Sequence, residues 1–216
     1  MPIIQPQEQI REEDFILMPE TKHSPDTRIH PVRTHKGLNW YETHEALRKS
    51  GLFMPNPRQL IDLVLALERG RLYDHEGNKL SSERIRQIQD DLLAEREPYR
   101  GVHLDAYFAE VDDESRIFYD HRTLKDRLVP TRVEPLEKYI NTTGFVDLKR
   151  FNRQGLPTRR SANQVYEQGE NVYFWPPAND GVARFRTNSD GVMLYCGRDP
   201  RGSDGGLGVY ACARKS

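Results

Sequence analysis

Apolar residues that recur at helical spacing predict three helices in the first half of the chain. Asn39 is a good N-cap with Glu42 as its capping-box partner, and Asn56 caps a second helix with Pro57 in the first turn. A third helix begins near Ser82. The three apolar stripes are Trp40, His44 and Leu47; Leu60, Leu63, Val64 and Leu67; and Ile85, Ile88 and Leu92.

The pattern then changes to short alternating segments, which predict antiparallel strands. A hairpin is expected over 106–120, around the turn Asp112-Asp113-Glu114, and one or two strands within 1–36. Further strands are predicted at 144–148 (or a turn), 171–175, 182–185, 191–197 and 207–213, and one helical turn at 136–140. The sequence therefore predicts an α+β fold with a loop-rich C-terminal half.

Strict alternation is clearest over 191–197, where one set of side chains is apolar and the other is mixed. The two sets are Val192, Leu194 and Cys196 on one face and Met193, Tyr195 and Gly197 on the other. Because successive strand residues point to opposite sides of a sheet, the first set is predicted to pack and the second to be free.

The same region has an unusual composition. Residues 184–214 contain no Lys, Glu or Gln, whereas the other 185 positions hold 34 of them. An even spread would place about six in the 31-residue segment. Codons that end in a pyrimidine encode neither these residues nor Met and Trp, so randomising the first two bases of Asn codons would give this composition. Only Met193 does not fit.

Length and charge limit the possible classes of protein. A chain of 216 residues suits one large domain or two small ones, and a net charge of −1 argues against general nucleic-acid binding. There is no long apolar run for a transmembrane helix, and the N-terminus lacks the basic start and apolar region of a secretory signal. We expect synthesis in the cytoplasm; display on a virion or a cell surface stays open.

Two capped helices joined by Gly-Leu-Phe-Met-Pro (51–55), then a loop-rich sheet and a final strand, resemble the C-type lectin fold. The stretch 46–60 is similar to the formylglycine-generating (sulfatase-modifying) branch, which has a Leu-Pro-Thr element and a Glu-Trp. The Pro is kept here, but the Thr and the Glu-Trp are not. This resemblance implies a fold and no activity.

A second resemblance rests on motifs in the C-terminal half. They are Gly144-Phe-Val-Asp-Leu148, Tyr173-Phe-Trp175, Val182-Ala-Arg-Phe185, Leu194-x-Cys196, Arg198-x-Pro200 and Leu207-Gly-Val209. Over roughly 38–214 the chain resembles the variable proteins of archaeal diversity-generating retroelements. In those systems a reverse transcriptase copies a template with errors at adenines, and the copy replaces the 3′ end of the gene. The product is a C-type lectin scaffold with a hypervariable binding face.

This resemblance implies an N-terminal arm at 1–36, a lectin-like domain at 37–216 and a variable region at about 182–214. The expected binding face is Arg186, Asn188, Met193, Tyr195, Gly197, Asp199, Gly202, Asp204, Gly206 and Tyr210. The expected scaffold is Phe185, Val192, Leu194, Cys196, Leu207 and Val209. The ligand would be a protein or glycan on a cell surface, with no catalytic residue, metal or cofactor. The sequence does not determine the oligomeric state.

Other chemistry-bearing residues have simpler interpretations. We expect Trp175 to lie in the core, and Cys196 and Cys212 to be buried, inert thiols, although a disulfide between them stays open. The scattered histidines form no metal signature, and the acidic turn 112–114 is expected to be solvated instead of binding calcium.

Two other functions remain as alternatives. The chain could be an enzyme, or an inactive relative, of the formylglycine-generating family, although the paired active-site cysteines of that family have no match here. It could also be a structural or fibre-tip protein of a virus. The composition of 184–214 could also be that of a Gly-rich loop region that happens to lack Lys and Glu.

Overall fold

The computed structural model describes residues 10–125 and 127–214, which form an α+β fold. After a short 3-10 helix at Glu12–Asp14, the α-helices are α1 Trp40–Lys49, α2 Pro57–Glu68 and α3 Ser82–Leu93. The strands are β1 Ile16–Met18, β2 Thr27–Ile29, β3 Arg100–Val111, β4 Glu114–Leu124, β5 Arg127–Pro135, β6 Gly144–Asp147, β7 Asn171–Trp175, β8 Gly181–Asn188, β9 Gly191–Arg198, β10 Leu207–Gly208 and β11 Cys212–Ala213.

The helices begin where their capping residues predict. The side chain of Asn39 accepts the Glu42 N–H while the Glu42 carboxylate accepts the Asn39 N–H, and Asn56 and Gln59 repeat this arrangement. Ser81 caps α3, one position before the predicted start. The three predicted apolar stripes are buried, so local capping and periodicity are sufficient to place these helices.

A large sheet has the strand order β5-β4-β3-β8-β9-β7-β6, and β10 pairs with β3 beside this path. Neighbours are antiparallel except for the β7–β9 and β3–β10 pairs. The predicted hairpin is confirmed as β3–β4, but both strands extend well beyond 106–120. Asp112 and Asp113 both adopt positive φ, as a two-residue turn of type I′ requires.

The secondary structure differs from the predictions at three places. Residues 136–140 form no helical turn and instead run irregularly, with Leu136 and Ile140 packed against the core. Strand β5 was not predicted; it contains Pro130 and Pro135 and lies at the sheet edge, where a missing N–H is tolerated. The expected final strand 207–213 is divided into β10 and β11.

The divided C-terminal segment pairs both with the large sheet and with the strands of the N-terminal arm. While β10 pairs with β3, β11 pairs with β2 in a small sheet of order β1-β2-β11. Between them, Val209 exchanges backbone hydrogen bonds with Thr34, and the His30 N–H donates to the Ala211 carbonyl. The N-terminal arm is therefore built into the same body as the last strand.

The two faces of the large sheet have different coverings. Helices α2 and α3 pack on the face that carries Leu104, Phe108 and Phe185, and together they form the main core. Helix α1 lies against the opposite face of β3, where the Trp40 ring is 6.4 Å from that of Tyr107. We call this opposite side the outer face; α1 covers its β3–β4 part and packs with Val182 at the start of β8.

Among the described residues, no helix is both long and apolar enough to cross a membrane.

Candidate binding face

Strands β8 and β9 present alternating side chains to the core and to the outer face. Phe185 and Leu194 are paired in register and buried, whereas Arg186, opposite Met193, and Tyr195 are only partly buried on the other side. All the residues expected to form the scaffold are buried: Phe185, Val192, Leu194, Cys196, Leu207 and Val209. The predicted alternation is confirmed.

Four aromatic side chains form a continuous row across β6, β7 and β9, which we call the aromatic row. The row is Phe145, Tyr173, Trp175 and Tyr195. Trp175 stacks on Tyr195 with ring centroids 5.4 Å apart and planes 8° from parallel. Tyr173 connects Trp175 to Phe145, with centroid distances of 5.9 Å and 5.0 Å.

The expectation that Trp175 lies in the core is wrong. The side chain is 40% exposed and belongs to the aromatic row. The reason is the period of two in β7, in which Val172 and Phe174 are buried and Tyr173 and Trp175 therefore point outward. A bulky aromatic residue in a strand does not by itself indicate burial.

Two arginines, one from β8 and one from the end of β9, lie beside Tyr195 at the end of the aromatic row. The guanidinium of Arg198 lies 4.2 Å from the Tyr195 ring centroid. That of Arg186 lies 5.3 Å from Tyr195 and 5.2 Å from Tyr99. Such cation–π contacts favour one orientation of these long side chains, by about 0.5–1 kcal/mol each at exposed sites.

The loop between β9 and β10 closes onto the same face. The Arg184 guanidinium donates to the carbonyls of Asp199 (2.9 Å) and Gly202 (2.7 Å), and its burial lowers the arginine pKa. Burial, together with a hydrogen bond to Asp204, raises the pKa of Tyr99 to about 12. Hydrogen bonds donated by the Tyr99 hydroxyl and the Gly206 N–H lower the pKa of Asp204, so its carboxylate is charged at neutral pH.

The structure brings together part of the predicted binding face. Arg186, Met193 and Tyr195 adjoin one another, and Asp204 joins them through Tyr99. Asn188 lies at the β8–β9 turn. Gly197 and Asp199 lie at the far end of β9, and Gly202 and Gly206 lie in the following loop. These five residues therefore surround the group formed by Arg186, Met193, Tyr195 and Asp204 and are not part of it.

The predicted exposure of Tyr210 is wrong. The side chain is 3% exposed, and its hydroxyl donates to Asp91 at 3.3 Å. It falls between the two short strands β10 and β11, where the chain crosses the interior and alternation no longer assigns a face. Tyr210 is part of the core.

Two of the three predicted glycines have no room for a side chain. A Cβ on Gly197 would lie 2.8 Å from the Ala178 Cβ, and one on Gly206 would lie 3.0 Å from both the ring and the carbonyl of Tyr99. At Gly202 the Asp199 carbonyl would be 3.3 Å away, which requires a small shift. These positions therefore contribute backbone to the face and are poorly suited to substitution.

Sequence reasoning missed several residues of the face: Phe145, Tyr99, Tyr173, Trp175, Arg184 and Arg198. Alternation in β7 was available as a signal for Tyr173 and Trp175. Nothing comparable exists for Tyr99, which lies outside the predicted strands and reaches Arg186 only in the folded chain.

This face combines flat aromatic surface, cationic groups and one charged carboxylate on adjoining strands of the sheet and the loop between β9 and β10. Both cysteines are free and fully buried, and burial raises the pKa of each thiol, so neither offers a nucleophile. No protein-family model matches the chain, and neither a curated protein nor a solved structure shows significant similarity to it.

Proposed function

We propose that the protein is a non-enzymatic binding protein whose segment 182–214 is the variable region of a diversity-generating retroelement. The observation that carries the proposal is the outer face itself. There, Arg186, Met193 and Tyr195 lie on two central strands, directly above buried partners that hold those strands in place.

A diversified surface needs positions that can change without loss of the fold. Alternation along β8 and β9 separates such positions from Phe185, Val192 and Leu194 below them. The absence of Lys, Glu and Gln from 184–214 has no structural cause, since partly exposed strand positions accept these residues readily. A mutational process that cannot write their codons explains both observations together.

We assign the scaffold to the C-type lectin-like folds. This assignment is supported by two capped helices in succession, an antiparallel sheet after them and a short final strand. The completely buried thiols give no support to the formylglycine-generating alternative, which requires reactive cysteines.

The ligand would be a protein or a glycan at a cell surface. The aromatic row offers flat area at little cost in side-chain entropy, and the neighbouring arginines supply donors for carboxylates, carbonyls or hydroxyls. Aromatic and arginine anchors usually provide most of the affinity of such surfaces.

The test is to sequence the 3′ end of the gene from many individuals of one population. We expect substitutions at Arg186, Tyr195 and Asp204, and none at the buried Phe185. A near-copy of the segment and a reverse-transcriptase gene should lie nearby. Uniform 3′ ends, or changes spread evenly over the whole gene, would refute the proposal.

A further inference from the structure

A second cluster of polar side chains lies on the outer face, where α1 covers β3 and β4. His44 comes from α1, Asp105 from β3 and His121 from β4. Their ligand atoms all lie within 4.8 Å of one another. Three elements distant in sequence thus direct two imidazoles and a carboxylate to one point.

The carboxylate occupies the centre of the cluster. One oxygen of Asp105 is 2.5 Å from Nδ1 of His121 and 3.5 Å from Nε2 of His44. The other accepts the His121 backbone N–H at 2.9 Å, which fixes the carboxylate plane. Ligands of one tetrahedral metal ion, each at 2.0–2.2 Å, lie about 3.3 Å from each other. Small side-chain shifts would therefore suffice.

His44 has a buried nitrogen with no partner. Its side chain is 5% exposed, and Nε2 makes no hydrogen bond. A buried polar atom without a hydrogen bond is costly, and imidazole nitrogen is the commonest metal ligand in proteins, so a bound metal ion would give Nε2 a partner.

Trp40 holds both imidazole rings in position. Its ring meets that of His44 edge-on at 4.4 Å and that of His121 edge-on at 5.0 Å. The Trp40 indole N–H in turn donates to the Leu104 carbonyl at 2.9 Å. The ligand set is therefore preorganised by a packed side chain with a single orientation.

The cluster opens into a large cleft of about 810 Å³. His44, Asp105 and His121 lie in its wall, which continues over Arg48, Asp120 and Thr131. Three protein ligands would leave at least one coordination position on a metal ion for water or a small ligand from the cleft.

We infer that His44, Asp105 and His121 bind a first-row divalent transition metal. Two imidazoles and one carboxylate form the donor set that Zn²⁺ and Fe²⁺ share, whereas Ca²⁺ prefers oxygen ligands throughout. None of the three residues lies in the segment 182–214, so this inference does not rest on the proposed binding face.

The test is calorimetric titration of the tag-free protein with Zn²⁺, and separately with Ca²⁺. We expect saturable binding of one Zn²⁺ per chain, a higher Tm with the metal and no binding of Ca²⁺. The Co²⁺ form should show a visible spectrum typical of nitrogen and oxygen ligands.

Two matched variants identify the ligands. His44→Gln should weaken Zn²⁺ binding by at least roughly 100-fold, since even outer-shell partners of metal ligands are worth 10–100-fold. His75→Gln removes a more exposed histidine outside the cluster and should leave binding unchanged. If His44→Gln does not fold, as judged by circular dichroism, Asp105→Asn serves instead. The inference is overturned if the wild-type protein binds no Zn²⁺, if His44→Gln binds it equally well, or if His75→Gln loses it.

Discussion

The Trp175 indole lies flat on the Tyr195 ring, with 5.4 Å between centroids and 8° between planes. The contact arises because β7 and β9 pair in parallel, with Trp175 in register with Tyr195. Twenty residues separate the two in sequence, and the paired strands are not consecutive. The stack thus joins a residue of the proposed variable region to one outside it.

Substitutions on the two faces of the sheet should differ sharply in cost. Tyr195→Ala removes a partly exposed ring and should lower the free energy of unfolding by about 1 kcal/mol. Phe185→Ala creates a cavity in the core and should cost about 3–5 kcal/mol. Urea denaturation of both variants is the measurement. Equal losses would mean that the outer face is structural and unsuited to diversification.

The glycines at the ends of the face should tolerate substitution unequally. Gly197→Ala places a methyl group 2.8 Å from the Ala178 Cβ and should destabilise the fold by about 1–3 kcal/mol. Gly205→Ala is the matched control, because a Cβ there meets nothing within 4 Å. The measurement is the Tm of the two variants. If Gly197→Ala leaves the Tm unchanged, Gly197 can belong to the positions that vary.

A buried ion pair within α2 is hydrogen-bonded to the N-terminal arm. Asp62 accepts from Arg58 at 2.6 Å and from Ser24 at 2.7 Å, and it also binds Thr21. Asp62→Ala leaves a buried guanidinium unpaired and should cost about 3–5 kcal/mol.

The control for Asp62 is another ion pair at the same helical spacing. Glu45 and Lys49 form an exposed i,i+4 pair on α1, so Glu45→Ala should change stability by less than about 0.5 kcal/mol. Guanidinium denaturation measures both variants. A small effect of Asp62→Ala would show that the N-terminal arm is not anchored through this network.

The two thiols should be inert in the folded protein. Because burial raises the pKa of Cys196 and Cys212, neither should react with a disulfide reagent at pH 8, whereas both should react after unfolding. In the unfolded chain both thiols ionise near the ordinary thiol pKa of about 8.5. Their contribution to the stability of the fold is therefore complete below that pH and falls as the pH rises above it. Rapid labelling of the native protein would contradict this placement.

Local signals predicted much of the secondary structure. Asn39 and Asn56 define helix starts through bonds to residues three positions away, and the alternation of β9 follows from the period of the strand itself. Strand β5 was not predicted; its prolines are compatible with a strand at an edge, and edge position is a property of the whole sheet.

The sequence by itself determined where the helices begin, which β8 and β9 side chains face the core, and the unusual composition of 184–214. Each depends on neighbours a few residues apart or on composition alone. Only the tertiary structure decided that Trp175 stacks on Tyr195, that Tyr210 is buried, and that His44, Asp105 and His121 meet. Those contacts depend on strand order and register across long sequence separations, which no local period encodes.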